Sequence, residues 1–340
     1  MKYINELFTW SVDYRKHLLA GEESLKKLVI LFISLILCFT ISSCATLFDQ
    51  PTTTTTSTTV ISEWTPEDNG IANQFNLVSI WGASSSDVFA VGYNGTILQY
   101  NGNAWSNMIS GTKNYLNAVW GSSPSDVFAV GLDNGIILHY DGNAWSNMPT
   151  GTSSTFYAVW GSSSSDVFAT ESPSGIIHYD GTKWSKMTLG VPSSTLWRVW
   201  GSSSTDVFAV GDGGIILHYD GNAWSNMPSG ASNTFYAVWG SSSTDVFAVG
   251  SGGTIMHYDG NSWSSMNSGS ATVNLSEVWG SSSTDVFAVG TGGTILHYDG
   301  NTWSNMPSGT SDTLSAVWGS SSSDVYTVGT NGIILHYSGQ

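Results

Sequence analysis

A unit that recurs every 39 or 40 residues from Trp81 onward constrains the fold of this 340-residue chain more than any other feature. Each copy has a Trp-Gly pair, a Ser-rich segment, an Asp and then Val-Phe-Ala-Val-Gly or a close variant. The tryptophans of the pairs are Trp81, Trp120, Trp160, Trp200, Trp239, Trp279 and Trp318. Such regular self-similarity is typical of repeat architectures, whose units bury their apolar faces against one another. The repeat therefore predicts one array, although length alone suggests two domains.

The unit from 235 to 266 shows what each repeat contains. It contains four short segments rich in apolar and aromatic residues, as is typical of β-strands. They are Phe235–Trp239, Val246–Val249, Thr254–Tyr258 and Ser262–Met266. Ser-rich, Gly-rich and Asp-Gly segments separate them and favour turns. Four short strands in about 40 residues predict a propeller blade. We therefore predict an all-β fold, a seven-bladed β-propeller of four-stranded antiparallel blades.

A second series of tryptophans, one in each predicted fourth strand, indicates how the ring closes. Its first six members in the repeats are Trp105, Trp145, Trp184, Trp224, Trp263 and Trp303. The last repeat ends after a third strand at Tyr337, so its blade lacks a fourth strand. The segment Val60–Trp64 has the missing pattern. We therefore predict that this N-terminal strand pairs into the last blade, which removes exposed strand edges.

The repeat VWGSSSTDVFAVGxGGTILHYDGNxW resembles the bacterial propellers grouped with WD-repeat, YVTN and BNR-like proteins, over residues 60–340. The resemblance implies the propeller fold and says little about function, because one fold supports many activities. The chain lacks the WD dipeptide, and Asp259 lies four residues before Trp263, where the sialidase Asp-box has five. Sialidases also clamp a carboxylate with three arginines, whereas Arg198 is the only arginine after residue 44. Sialidase chemistry is therefore not expected.

Residues 1–44 are predicted to direct export. Lys26 and Lys27 precede an apolar run, 28–41, and small residues follow it, which is the arrangement of a secretory signal. Ile41-Ser42-Ser43-Cys44 resembles a bacterial lipobox, and this implies lipid attachment at Cys44. An uncleaved anchor over about residues 28–48 is the alternative. Translation beginning near Leu25 would account for residues 1–24, which lie upstream of the signal.

Residues 45–59 are predicted to be a tether, because the segment from 51 to 59 is almost all Thr and has no apolar periodicity. The domains are thus a signal and lipobox segment (1–44), a tether (45–59) and a propeller (60–340). We expect a monomeric, lipid-anchored protein whose propeller lies outside the cytoplasm. The formal net charge of −16 disfavours nucleic acid as a partner, because an acidic surface repels phosphate.

Residues that recur in nearly every blade are interpreted as structural, because a catalytic site normally occurs once. The third-strand histidines are predicted to be hydrogen-bonding groups rather than metal ligands: His139, His178, His218, His257, His297 and His336. The aspartates after the Ser-rich turns are predicted to accept turn N–H groups rather than to bind calcium: Asp87, Asp126, Asp166, Asp206, Asp245, Asp285 and Asp324. A third set should form hairpins: Asp141, Asp180, Asp220, Asp259 and Asp299. No catalytic residue, metal or cofactor is expected.

Residues that differ between blades mark the candidate binding site. Connections after the second and fourth strands vary, and alternate loops of a meander emerge on one face. Side chains that begin the first strands border this face, and those that differ are Asn117, Tyr157, Trp197, Arg198, Tyr236, Glu277 and Ser315. First strands are innermost in a propeller, so these residues are predicted to ring the channel mouth and to suit a sugar or peptide. Neutral drift among duplicated blades is the alternative explanation.

The sequence therefore favours a membrane-tethered binding protein that recognises a protein or a glycan through one propeller face. A glycan-active hydrolase or lyase is one alternative, for which only Glu171, Arg198 and Glu277 are non-repeated candidates. A purely structural envelope or adhesion module is the other.

Overall fold

Seven antiparallel four-stranded sheets follow one another along the chain in a computed structural model that describes residues 64–70, 75–132, 134–173, 175–190, 194–269 and 272–339. In six sheets the strands lie in sequence order, so each sheet is a simple meander. The first strand of each blade contacts the first strand of the next, and the seventh contacts the first. The described residues therefore form a closed seven-bladed propeller, which confirms the predicted fold.

The strands have the same order and nearly the same lengths in every blade. The first, innermost strands are β2 (Leu77–Ser84), β6 (Leu116–Ser123), β10 (Phe156–Ser163), β14 (Leu196–Ser203), β18 (Phe235–Ser242), β22 (Leu275–Ser282) and β26 (Leu314–Ser321). The second strands are β3 (Asp87–Gly92), β7 (Asp126–Gly131), β11 (Asp166–Glu171), β15 (Asp206–Gly211), β19 (Asp245–Gly250), β23 (Asp285–Gly290) and β27 (Asp324–Gly329). The third strands are β4 (Ile97–Tyr100), β8 (Ile137–Tyr140), β12 (Gly175–Tyr179), β16 (Ile216–Tyr219), β20 (Ile255–Tyr258), β24 (Ile295–Tyr298) and β28 (Ile334–Tyr337). The fourth strands are β1 (Trp64–Pro66), β5 (Trp105–Asn107), β9 (Trp145–Asn147), β13 (Trp184–Lys186), β17 (Trp224–Asn226), β21 (Trp263–Met266) and β25 (Trp303–Asn305).

Short turns of 3-10 helix connect the second and third strands in five blades. They are Tyr93–Gly95, Asp212–Gly214, Ser251–Gly253, Thr291–Gly293 and Thr330–Gly332. The chain takes positive φ at Gly252 (63°) and Gly253 (67°), a conformation that glycine adopts without a side-chain clash. The Gly-rich pattern predicted turns here, and the structure has turns with positive φ at these glycines. No helix among the described residues is long and apolar enough to cross a bilayer.

The N-terminal strand closes the ring. β1 pairs antiparallel with β28, with Trp64 opposite Tyr337. The Trp64 side chain is buried, and its ring lies 6.2 Å from Phe287 and 5.4 Å from Tyr337 between ring centroids. The predicted closure is confirmed, although the strand extends from Trp64 to Pro66 and the segment 60–63 lies outside the described residues.

The repeated Trp-Gly pair joins neighbouring blades. A Cβ atom on Gly121 would lie 2.7 Å from the ring of Trp81, and one on Gly82 would lie 2.4 Å from the ring of Trp318. All seven pairs make this contact, each glycine against the tryptophan of the preceding blade. These tryptophans are only half-buried, whereas the fourth-strand tryptophans are more deeply buried on average. The pair therefore recurs because the ring of one blade occupies the space that a side chain on the next would need.

The apolar core consists of clusters that each span two blades. One cluster joins Phe89 and Ile97 of the first blade to Leu116, Val127 and Leu138 of the second. The structure forms seven such clusters from its described residues, so most apolar surface is buried between sheets rather than within one. A rigid ring built in this way positions the loops at its two faces.

The hairpins between third and fourth strands form as the Asp-Gly pattern predicts. Asp220 Oδ1 accepts hydrogen bonds from the backbone N–H groups of Asn222 and Ala223, both at 2.9 Å. Backbone donors hold the pKa of this exposed carboxyl below its ordinary value. Asn101 accepts the equivalent two bonds in the first blade, so the turn needs an acceptor but no charge.

Candidate functional site

Five of the seven side chains singled out at the start of the first strands meet in one cavity. It has a volume of about 340 Å³ and is lined by Asn117, Tyr157, Trp197, Arg198, Tyr236, Asn274, Ser276 and Thr291. These residues come from five consecutive blades, the second to the sixth. Residues of five blades can share one cavity only near the ring axis, so the cavity lies at the mouth of the central channel.

An irregularity in strand register allows two consecutive residues, Trp197 and Arg198, to line this cavity. In the fourth blade the pairing between β14 and β15 shifts between Leu196 and Arg198, as in a β-bulge. The shift leaves Trp197 outside the ladder and interrupts the alternation of side chains along the strand. Leu196 is buried, whereas Trp197 and Arg198 both line the cavity. The same shift occurs at the start of all seven first strands.

Three aromatic rings form one wall of the cavity. The ring centroid of Trp197 lies 4.7 Å from that of Tyr157 and 6.3 Å from that of Tyr236, with interplanar angles of 52° and 68°. All three side chains are half-buried, so part of each remains accessible. Tilted and edge-to-face arrangements of this kind are the favoured geometries of aromatic pairs. The rings therefore stabilise one another and present a fixed aromatic surface.

An ion pair crosses the channel beside this wall. Arg198 Nη2 donates a hydrogen bond to Glu277 Oε2, although their strands belong to the fourth and sixth blades. The intervening fifth blade has Ala237 at the equivalent position, which leaves room for the pair. Burial raises the pKa of Glu277 to about 6, and the nearby Arg198 guanidinium opposes part of that rise. The two charges largely neutralise each other inside the channel.

The cavity lining includes residues that the sequence analysis missed and lacks two that it named. Ser276 lines the cavity, whereas Glu277 and Ser315 are not among its lining residues, and Glu277 is linked to the lining only through Arg198. Asn274 also contributes, and its Oδ1 accepts a hydrogen bond from Gly252 N of the preceding blade at 3.1 Å. Thr291 lies in a turn that follows a second strand, which is one of the variable sets. The variation of these turns between blades was the sequence feature that could have identified Thr291 as a lining residue.

Larger grooves outside the central cavity have a less specific lining. One of about 760 Å³ lies between the turn at Gly95 and the connection from Asn107 to Lys113, and includes the exposed Ile109. A comparable groove of about 560 Å³ lies between the corresponding turn and connection of the fourth blade. Because they recur between equivalent loops, these grooves follow from the repeat itself. The central cavity is smaller, but its lining is not the same in all contributing blades: the second blade supplies Asn117, the third and fifth supply Tyr157 and Tyr236, and the fourth supplies Trp197 and Arg198.

The recurring Ser, Asp and His side chains form a structural set on the other face. Asp206 Oδ1 lies 2.7 Å from His218 Nε2, and Asp206 Oδ2 accepts a hydrogen bond from Ser202 Oγ at 2.5 Å. Equivalent contacts occur in all six blades that have this histidine. Here the Asp206 carboxylate lies between the Ser202 hydroxyl and the His218 imidazole. In a hydrolase triad the imidazole lies between the hydroxyl and the carboxylate. The arrangement fastens the turn to the third strand and does not activate a nucleophile.

The prediction that these aspartates accept turn N–H groups is therefore wrong. The turn N–H of Thr205 is instead donated to Ser203 Oγ, at 3.3 Å. The Asp side chain begins the second strand and lies next to the third-strand imidazole, which is a stronger partner when it is available. Among the described residues, no group of three or more His, Cys, Asp or Glu side chains is arranged to hold a metal ion.

Glu171, the remaining non-repeated candidate, lies away from the central cavity. It occupies the end of β11, where the other second strands end in glycine. Its side chain is buried and pairs with Lys186 Nζ at 2.7 Å. Glu171 is therefore not placed to act together with Arg198 and Glu277.

Comparisons with known proteins add information on the fold. No protein-family model matches the chain, and no curated protein matches it. Among solved structures, "YCF48 bound to D1 peptide" superposes with a TM-score of 0.68 at 16% identity, covering 82% of this chain and 95% of that one. YCF48 from Cyanidioschyzon merolae gives 0.65 at 15% identity, over 81% and 98%. The WD40 β-propeller domain of Doa1 gives 0.68 at 11% identity, over 82% and 98%. At these identities the likeness is one of fold, and this chain shares the β-propeller architecture of YCF48 and Doa1.

Proposed function

We propose that this protein binds a segment of another protein at the channel mouth of its propeller and that it is not an enzyme. The observation that carries the proposal is the convergence in one cavity of side chains from five blades, at positions where the blades do not all share one residue type. Residues of the scaffold repeat almost unchanged, so variation concentrated at one point of a rigid ring favours recognition. A cavity of about 340 Å³ suits one or two side chains of a partner rather than a whole ligand domain.

A peptide is favoured over a glycan by the comparison with YCF48, whose structure contains a bound D1 peptide. That finding concerns YCF48 and shows that a propeller of this shape can hold a peptide. Aromatic side chains dominate protein interfaces because they supply a large contact area at a small entropic penalty. Tyr157, Trp197 and Tyr236 meet this requirement at the cavity wall. Glycan binding remains an outcome that the screen below detects.

Changing Trp197 to Ala is expected to weaken the binding of selected peptides at least about tenfold. The expectation follows because truncation of a central aromatic contact typically has a hot-spot effect. Random displayed peptides and a glycan array would be screened against the full-length chain, and dissociation constants of enriched ligands measured for both proteins. Thermal unfolding would show that the variant remains folded.

Tyr93→Ala provides the matched control. Tyr93 begins the turn after the second strand of the first blade, is 40% exposed and does not line the central cavity. Its replacement should leave the affinity unchanged. Equal losses for both variants, or none for Trp197→Ala, would overturn the proposed site, and enrichment of glycans alone would replace the protein partner with a carbohydrate.

We further propose that the propeller is held at a membrane through a lipid on Cys44, with the Thr-rich segment as a tether. The arrangement of residues 26–44 supports this, since a basic flank, an apolar run and small residues precede the cysteine. Replacing Cys44 with Ser should move the protein from the membrane fraction to the soluble fraction of fractionated cells. If the variant stays in the membrane fraction, the uncleaved anchor is the correct interpretation.

A further inference from the structure

We propose that the group received by the central cavity is a basic side chain, lysine or arginine, of the bound protein segment, and that Asp212 positions Trp197 to receive it. This inference rests on the proposed function and specifies the chemistry of the partner. Three observations carry it: the hydrogen bonds of Trp197, the charges around the cavity and the charge of the propeller as a whole.

Trp197 presents a ring face rather than a hydrogen-bond donor. Its only polar atom, Nε1, donates to Asp212 Oδ1 at 2.8 Å, and Thr234 Oγ1 donates to the same oxygen at 3.2 Å. The indole is thus held at its edge from a neighbouring turn, so its N–H is not available to a ligand, while the half-buried ring lines the cavity. Aromatic faces carry partial negative charge and attract cations within about 6 Å of the ring centre. Tyr157 and Tyr236 flank the same surface.

Among the described residues, one charged group near the cavity has no basic partner, and it is the carboxylate of Asp212. Arg198, the one basic side chain of the lining, is paired with Glu277. The ion pairs of the described residues include none with Asp212. An anionic group in the cavity would therefore meet an arginine that is already neutralised, close to the Asp212 carboxylate, which lies outside the cavity lining and is hydrogen-bonded to Trp197. A cation would meet the aromatic side chains, with the Asp212 carboxylate at the Nε1 edge of the Trp197 ring.

The propeller as a whole also attracts basic segments. From residue 60 onward the sequence has 20 acidic and 4 basic side chains, so this part bears the entire net charge of −16. A field of that sign raises the local concentration of cations and the rate at which they associate. The net negative charge attracts any basic ligand at long range, whereas the aromatic wall determines where the basic side chain binds.

A series of heptapeptides that differ only at the central residue tests the inference. In Gly-Gly-Gly-X-Gly-Gly-Gly, X is lysine, arginine, norleucine or glutamate, and binding to the full-length chain is followed by NMR titration at 0.15 M salt. The lysine and arginine peptides should bind about 5-fold more tightly than the norleucine peptide, as expected for a partly desolvated cation–π contact. Glutamate should bind most weakly. Equal affinities for lysine and norleucine would overturn the inference.

Variants separate the aromatic contact from general attraction. Trp197→Leu keeps an apolar side chain, and it should reduce the preference for lysine over norleucine toward one. Asp212→Ala should do the same by releasing the indole, while Asp212→Asn, which keeps an acceptor for Nε1, should retain part of the preference. Asp220→Asn removes the same charge from a hairpin on the opposite face of the same blade, where Asn101 shows that an amide suffices. It should leave the preference unchanged.

The outcomes for the inference and for the proposed function are distinct. If selected peptides lose affinity with Trp197→Ala but the heptapeptides show no preference for a basic residue, the function stands and the chemistry assigned to the partner is wrong. If Asp220→Asn lowers the preference as much as Asp212→Ala does, the attraction is a property of the net charge and not of this cavity, which also overturns the inference.

Discussion

Removing residues 1–69 is expected to lower the melting temperature sharply and to cause self-association, whereas removing residues 1–59 should do neither. The longer deletion removes β1, which is the fourth strand of the last blade. The buried Trp64 side chain is lost with it, and loss of one buried tryptophan alone typically costs about 3–5 kcal/mol. The outer edge of β28 also loses its partner, and exposed strand edges promote pairing between molecules. Calorimetry and size-exclusion chromatography would measure the two effects.

A pair of point variants separates ring closure from core packing. Trp64→Ala and Trp105→Ala remove equivalent buried tryptophans, but Trp105 belongs to a blade whose four strands are continuous in the chain. Both should lower stability, and only Trp64→Ala should also favour association by weakening the seal. A deletion of residues 1–69 that stays monomeric with an unchanged melting temperature would show that the N-terminal strand does not close the ring.

Replacing Arg198 with Ala is expected to destabilise the protein by about 3 kcal/mol at pH 8 and by clearly less at pH 5. Arg198 and Glu277 form a largely buried ion pair, with side chains 16% and 14% exposed, and removal of one member leaves the other charge uncompensated. Burial has already raised the pKa of Glu277 to about 6, and loss of the arginine should raise it further. At pH 5 the carboxyl then carries a proton and needs no partner, whereas at pH 8 its charge must be accommodated in the channel. Urea denaturation at the two pH values measures the difference.

The sign of this pH dependence follows from proton linkage. The pKa of Glu277 is higher in the folded state than its ordinary value of 4.5, so the folded state binds the proton more tightly. The stabilisation due to that proton is fully present below about pH 4.5 and is lost as the pH rises through about 6. In the native protein, Arg198 stabilises the ionised Glu277 carboxylate and so reduces the loss of stability at high pH. Arg198→Ala removes this stabilisation. A variant whose stability matches the native protein at both pH values would contradict the assignment of the pair.

The double variant Arg198→Ala, Glu277→Ala is the matched control, because four other blades have alanine at this position: Ala118, Ala158, Ala237 and Ala316. Replacing both members of a buried pair with apolar residues is often nearly neutral. We therefore expect the double variant to be more stable than the single one at pH 8 and to lose the difference between pH 5 and pH 8. Because Arg198→Ala is expected to destabilise the fold, a loss of binding in that variant would be hard to interpret. Trp197→Ala breaks no ion pair and is therefore the better test of binding.

The blade count and the closure were predictable because they depend on a count of repeats. Seven Trp-Gly pairs and one displaced fourth strand admit one closed arrangement, and the pairing of Trp64 with Tyr337 confirms it. The face that bears the variable loops follows from the alternation of turns in a meander. These features need only the order of the elements along the chain.

The details of the site depend on the three-dimensional structure and could not be predicted from the sequence. Trp197 and Arg198 line one cavity because the strand register shifts beside them, and the Leu-Trp-Arg-Val pattern does not reveal such a shift. The ion pair between Arg198 and Glu277 skips a blade, so it depends on the curvature of the ring. The role of the aspartates was misjudged for a similar reason, since their imidazole partners are twelve or thirteen residues away.

The sameness of the blades has a consequence for assembly. The three-residue strand β1 carries the same Trp as six other outer strands, and every joint between blades is the same Trp-Gly contact. A blade that forms during folding can thus pack against several equivalent neighbours. A last blade that has not yet bound its own β1 can also pair with the N-terminal segment of another molecule when the protein concentration is high. Yield on refolding should consequently fall with rising protein concentration through exchange of this strand, with intertwined chains as the product.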